Sequence, residues 1–187
     1  MNDNYKLIQI LLQSPLFQKL FDRWTQLPVA NCYIAGGVVT QTVWNHLSSR
    51  SFDYGINDVD IIYYDKSLST DQEVGYQDTF SEIYKDLAFQ IDLQNEASVH
   101  TWYEQKFGYN IASYCTVDEA IQTWLPAFSV AIQRSKSSYV VKAPFGLSDM
   151  FSMIVRPNKI QINEKIYSKM VSRIKKDWPE VKIVSWS

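Results

Sequence analysis

The chain has 187 residues, 46% of them hydrophobic, with 18 Lys+Arg against 20 Asp+Glu. That is enough apolar material for a sizeable core, which excludes intrinsic disorder of the whole. There is neither an apolar run of the roughly 18 residues a membrane helix needs nor a basic n-region at the start, so no membrane span or signal peptide is expected.

In chain order, Ile8, Leu11, Leu12, Leu16, Phe17, Leu20, Phe21 and Trp24 recur at helical spacing over 5–26. Ser14-Pro15 reads as an N-cap and first helical position, so this stretch is expected to form two short helices within an N-terminal segment, 1–28. Cys32 to Ala35 is a short apolar run. Gly36-Gly37 follows, then Val39, Val43 and Leu47 four apart, which reads as strand, glycine turn and helix. After a polar loop, 48–56, the run from Asp58 to Tyr64 is rich in β-branched and aromatic residues and reads as a buried strand. A helix is expected over 71–87 with Val74, Phe80, Ile83, Tyr84 and Leu87 inward. Phe89 to Gln94 alternates as a strand.

A short helix over 99–106 comes next. Thr116 and Glu119 form a capping box that opens a helix over 117–124. Runs 128–134 and 138–143 flank Ser135-Lys136-Ser137 as a hairpin. Ser148 reads as the cap of another helix, and Asn163 as the cap of a last one, 164–177, stopped before Pro179. The alternation predicts an α/β (α+β) fold with a small mixed sheet flanked by helices, in one domain over 1–187 with a C-terminal helix at 163–178. Cys32 and Cys115 are too few and too far apart for a disulfide framework or a zinc site, which points to a reducing cytoplasm. Residues 156–182 hold eight basic and three acidic residues. The near-neutral total argues against a chain-wide nucleic-acid footprint, so this tail reads first as a solvated helix face, with RNA binding through Lys169, Arg173, Lys175 and Lys176 as a further option.

Three features carry chemistry. Two glycines before a helix N-terminus let backbone approach a phosphate, which the exposed N–H groups and the positive dipole end favour; the same pair also suits a plain tight turn. Asp58 and Asp60, two apart on a strand, point to one face while Val59 and Ile61 point to the other. A divalent cation relieves their repulsion, and an oxygen-only donor set suits Mg²⁺. Asp92 is the only acid in the next strand and would complete a two-metal site.

The order strand–GG–helix, strand D-x-D, strand D is the layout of the DNA polymerase β-like nucleotidyltransferases. Ala35-Gly36-Gly37, the run from Asn57 to Asp65, and the run from Ile91 to Ala97 resemble a bacterial family of nucleotidyltransferase-like proteins. So do Ala143-Pro144-Phe145-Gly146-Leu147, Arg156-Pro157-Asn158 and Trp178-Pro179. Within the wider superfamily the likeness is to the head domain of CCA-adding enzymes and bacterial poly(A) polymerases. The resemblance implies a minimal nucleotidyltransferase sheet and Mg²⁺ at Asp58 and Asp60, with Asp92 near an acceptor hydroxyl. It also implies an NTP triphosphate on Gly36 and Gly37. The acceptor is open: a small molecule, a protein or an RNA end.

The chain departs from this pattern in three ways. Twenty residues separate Gly37 from Asp58, so 48–57 looks inserted. Thr40-Gln41 stands where head domains carry Arg-Asp, which puts Thr40 at that nucleotide-facing position. The helical domains with which CCA-adding enzymes hold tRNA find no room in 187 residues, so tRNA-tail synthesis is not expected. The positive charge for the phosphates is then sought at Arg134, Lys142 or Arg156. A catalytically weak nucleotide-binding module on the same fold is the alternative to an active enzyme. His100, four residues after Glu96, is a candidate structural pair with it. Trp102, Trp124, Trp178 and Trp186 read as packing aromatics.

Overall fold

A computed structural model describes residues 2–136 and 138–187; the predicted hairpin tip at Ser137 lies outside the described residues. Its main sheet has five strands in the order β3-β2-β1-β4-β5. They are β1 (Tyr33–Ala35), β2 (Asp58–Tyr63), β3 (Gln90–Asn95), β4 (Ala131–Arg134) and β5 (Tyr139–Lys142). Only β2 and β3 run parallel; every other neighbouring pair is antiparallel. The parallel pair needs a crossover connection, and helix α4 (Thr70–Ile83) provides it.

One face of this sheet forms the main core. Val59, Ile61, Ile34, Ile132 and Ile91 point into it with α1 (Asp3–Leu11), α2 (Pro15–Asp22) and α3 (Gly37–Leu47). The opposite face is covered in part by α6 (Val117–Ile121), whose Val117 and Ile121 meet Tyr33, Ala35, Ile62 and Ala131. Its remaining area carries the acids described below. Helix α5 (Val99–Phe107) follows β3. Asn163 caps α8 (Glu164–Asp177) as expected, accepting from Ile166 N at 3.0 Å. Thr116 Oγ1 likewise accepts from Glu119 N at 3.1 Å.

Some expectations need correcting. Helix α4 stops at Ile83, where Tyr84 leaves helical geometry so that its hydroxyl can reach Leu20 O at 2.9 Å. Val74 is 55% exposed rather than inward, because Phe80 supplies the buried contact of that helix. Helix α6 ends at Ile121, three residues short. Ser148 is the first residue of the short helix α7 (Ser148–Phe151); Leu147 holds the cap position. A parallel pair, β6 (Ile154–Val155) with β7 (Lys182–Ile183), was not legible, since each strand has two residues.

The loop 48–57 is clasped rather than free. Asn45, fully buried on α3, donates to Phe52 O (3.1 Å) and Tyr54 O (2.8 Å) and accepts from Trp178 Nε1 at 2.8 Å. Trp178 lies so close to Gly55 that an added Cβ would sit 2.7 Å from its ring. Arg50 pairs with Glu180 across the same seam. Asn45→Ala would leave one buried indole N–H and two part-buried carbonyls without their partner. The expected loss is about 2–4 kcal/mol in urea unfolding; a loss under about 0.5 kcal/mol would show that the clasp is dispensable.

Candidate active site

The parallel register places Asp58 opposite Gln90 and Asp60 opposite Asp92. Side chains in register share a face, so Asp58, Asp60 and Asp92 lie together on the sheet face turned away from the main core. The pattern continues one step further than the sequence reading took it. Glu96 extends the same side of β3 beyond Gln94, and its backbone N–H donates to Tyr63 O at 2.8 Å. Glu96 is only 4% exposed. Continuing the period-2 alternation past Gln94 was the signal that could have found it.

No ion pair or hydrogen bond among the described residues reaches the carboxylates of Asp58, Asp60 or Glu96. Asp92 Oδ1 accepts from Gln90 Nε2 at 2.6 Å, leaving Oδ2 without a protein donor. Burial, then the negative charges of Asp58 and Asp92, push the Asp60 carboxyl up to about 7, against the weaker pull of Lys106 and Arg173. Burial first, and Asp60 second, push Glu96 up to about 8. Among the described residues no three His, Cys, Asp or Glu side chains are already drawn into a metal cage. The donors nevertheless fit a hard cation: adjacent carboxylates facing one way, one of them destabilised by its like-charged neighbours, with open oxygens for water and phosphate.

The glycine turn meets these acids. β1 runs antiparallel to β2 and delivers Gly36 beside Asp60. A Cβ on Gly36 would lie 3.7 Å from Asp60 Oδ2 and 3.2 Å from the Trp124 ring. Gly36 has φ +65° and ψ −126°, a conformation that essentially only glycine adopts. Its N–H is held by Val130 O at 2.9 Å. Gly37 starts α3, and the first bond within that helix comes from Thr40 N to Gly36 O at 3.2 Å. The N–H groups of Gly37, Val38 and Val39 have no intrahelical acceptor and carry the positive end of the dipole.

The basic and polar candidates fare differently. Thr40 is fully buried and donates its hydroxyl to Ala127 O at 2.7 Å, so it packs the far side of α3 instead of facing a nucleotide. Arg134 sits at the opposite end of the sheet from Gly36. β4 pairs Ala131 with Ala35, so Arg134 is three residues further away; its guanidinium donates to Phe21 O at 2.7 Å and lies 3.8 Å from Asp22. Neither is brought to the glycine turn. Lys142 is at the right end, but pairs with Asp118 and lies over the Tyr33 ring. Arg156 is bound to Asp149 at 2.9 Å. Glu96 precedes α5 and forms no pair with His100, whose buried Nδ1 has no partner. His100 lines a polar cleft of about 470 Å³ with Tyr64, Asp65, Glu73 and Tyr114, beyond the C-terminal ends of β2 and β3.

Among the described residues no helix is long and apolar enough to cross a membrane. No curated protein matches the chain. A solved structure does: an NMR structure described as revealing a CCA-adding enzyme head domain. It is 21% identical, with a TM-score of 0.78, covering 97% of this chain and 95% of that one. At that identity the likeness establishes the fold, the mixed α/β architecture of a nucleotidyltransferase head domain. The profile of the family described as Nucleotidyltransferase matches residues 22–183, from the end of α2 through β7, and so takes in the glycine turn and all four acids. The chain belongs to the nucleotidyltransferase family.

Proposed function

We propose that the chain transfers a nucleoside monophosphate from an NTP to a hydroxyl of an acceptor, with Mg²⁺, releasing pyrophosphate. The observation that carries this reading is the meeting of Gly36 with Asp60 on the sheet face that also bears Asp58 and Asp92. Asp58 and Asp60 would hold Mg²⁺, and Asp92 would contribute to a second ion. When bound, Mg²⁺ neutralises the phosphate oxygens and the charge that develops during in-line displacement. The free N–H groups at the start of α3 seat the phosphates, with Gly36 and Gly37 allowing their close approach. Asp92 orients the acceptor hydroxyl through its open Oδ2 and takes its proton. The acceptor oxygen then bonds to the α-phosphorus as the bond to the pyrophosphate oxygen breaks. A small molecule, a protein side chain or an RNA end each presents such a hydroxyl.

A second reading, a nucleotide-binding module with weak turnover, is favoured by the burial of Thr40 where similar proteins place an arginine. Labelled NTP incubated with Mg²⁺ and a panel of hydroxyl acceptors separates the two. Transfer that falls by about a hundredfold or more in Asp58→Ala and Asp60→Ala supports catalysis. Transfer that persists in both variants overturns it, and saturable NTP binding without transfer supports the module.

The acidic face also sets a pH dependence. Glu96 and Asp60 are raised to about 8 and about 7, above the 4.5 and 3.8 of free Glu and Asp. Between those limits the folded chain keeps protons that the unfolded chain has lost. Stability is therefore fully present at low pH and is lost as pH rises from about 4 to about 8. In metal-free buffer, Glu96→Gln should melt increasingly above the wild type between pH 5 and pH 8. A Tm difference that stays constant across that range would refute the buried, neutral Glu96.

A further inference from the structure

β3 carries Asp92 on the rim of the sheet. β2 lies on one side of it, and among the described residues no strand pairs with the other side. An uncovered strand edge leaves a row of N–H and C=O groups unpaired. Here one side chain takes them up. Gln77, half-buried on α4, donates from Nε2 to Ile91 O at 2.8 Å and accepts at Oε1 from Leu93 N at 2.8 Å. A primary amide offers the same donor and acceptor as a peptide group, so Gln77 stands in for one residue of a neighbouring strand. Its second amide hydrogen goes to Ser81 Oγ at 3.1 Å, on the same helix.

The two groups that Gln77 takes are those on either side of Asp92. Along a strand, the N–H and C=O of one residue point to one side and those of its neighbours to the other. With Ile91 and Leu93 turned out to Gln77, Asp92 turns its own N–H and C=O toward β2, opposite Asp60. Glu96 N points the same way, to Tyr63 O. Each of the two peptide planes that meet at Asp92 is therefore held from both sides, and these planes set both backbone torsions of the residue. Gln90 then steadies the carboxylate through Oδ1 at 2.6 Å and leaves Oδ2 open. The helix that bears Gln77 is itself anchored. Phe80 is fully buried in the core. Glu73, one turn before Gln77 on the same side of α4, accepts from Asn95 Nδ2 at 2.6 Å further along β3.

We propose that Gln77 is a positioning residue for the transfer: by fixing the backbone of Asp92 from outside the sheet, it aims Oδ2 at the acceptor hydroxyl. This rests on the nucleotidyl-transfer reading above. A small displacement of a group that must meet a reacting oxygen costs rate. Nucleotide affinity is spared, because the phosphates are seated on the glycine turn at the start of α3.

Gln77→Met keeps the length and bulk of the side chain and removes both hydrogen bonds to β3. Amide hydrogen exchange on the full chain, without metal or nucleotide, should show Leu93 exchanging about tenfold faster than in the wild type. With Mg²⁺ and NTP, kcat for transfer should fall about ten- to a hundredfold while KM for NTP stays within about twofold. In an Asp92→Ala background the same change should cost nothing further, since Gln77 acts only through that residue. A merely structural role would lower transfer equally in both backgrounds. Three results each overturn the assignment: unchanged Leu93 exchange in Gln77→Met, wild-type kcat in a variant whose Leu93 has lost protection, or an equal loss in the Asp92→Ala background. A wild-type chain that transfers to no acceptor overturns the parent reading and this role with it, whereas the exchange of Leu93 still decides whether Gln77 holds the strand.

Discussion

A sheet face that gathers like charges is unstable on its own terms, and around this the molecule is organised. Asp60 stands directly across from Asp92, two residues from Asp58 and within the field of buried Glu96. A shift of one residue in the β2–β3 pairing would turn the acids of the slipped strand toward the core. The other face forbids that shift. Val59 and Ile61 are fully buried and Ile91 nearly so, packed with the N-terminal helices. Hydrophobic burial on one side therefore holds the acids together on the other, in register, against their repulsion.

The same economy of geometry sets the glycine turn. Gly36 closes on Asp60 because β1 runs antiparallel to β2 and ends beside its start. The Trp124 ring stands on its other side. A side chain at Gly36 would be strained in φ and would enter the narrow space between an indole and a carboxylate. Backbone N–H groups at the start of α3 are thus delivered beside a carboxylate, where the positive end of the helix dipole offsets part of the negative charge.

Most of the fold could be read from local pattern. The D-x-D strand, the alternation of Phe89 to Gln94, the glycine turn and the caps at Thr116 and Asn163 each depend on neighbours within a few residues. Residues whose role depends on distant partners could not be read this way. Thr40 lies in the right place in the sequence, but helix rotation turns its hydroxyl to Ala127. Arg134 ends the correct strand, yet strand direction carries it to the wrong edge. Glu96 was hidden because strand ends are poorly marked by composition, and the paired strands β6 and β7 are too short to show a period.

The clasp around loop 48–57 has a consequence for how the molecule is made. The hydrogen bond between Trp178 and Asn45 joins residues 133 positions apart, and the loop it secures leads into β2, which bears Asp58 and Asp60. Contacts of such separation close late, after the local helices and the antiparallel pairs, because their loop entropy must be offset by structure already present. A ribosome that has extruded all four acids has therefore not yet made a finished site. The lead-in to Asp58 locks into position only when the chain beyond residue 178 has emerged. The order of synthesis thus leaves the lead-in to the acidic face unsecured until the C-terminal residues have packed against α3.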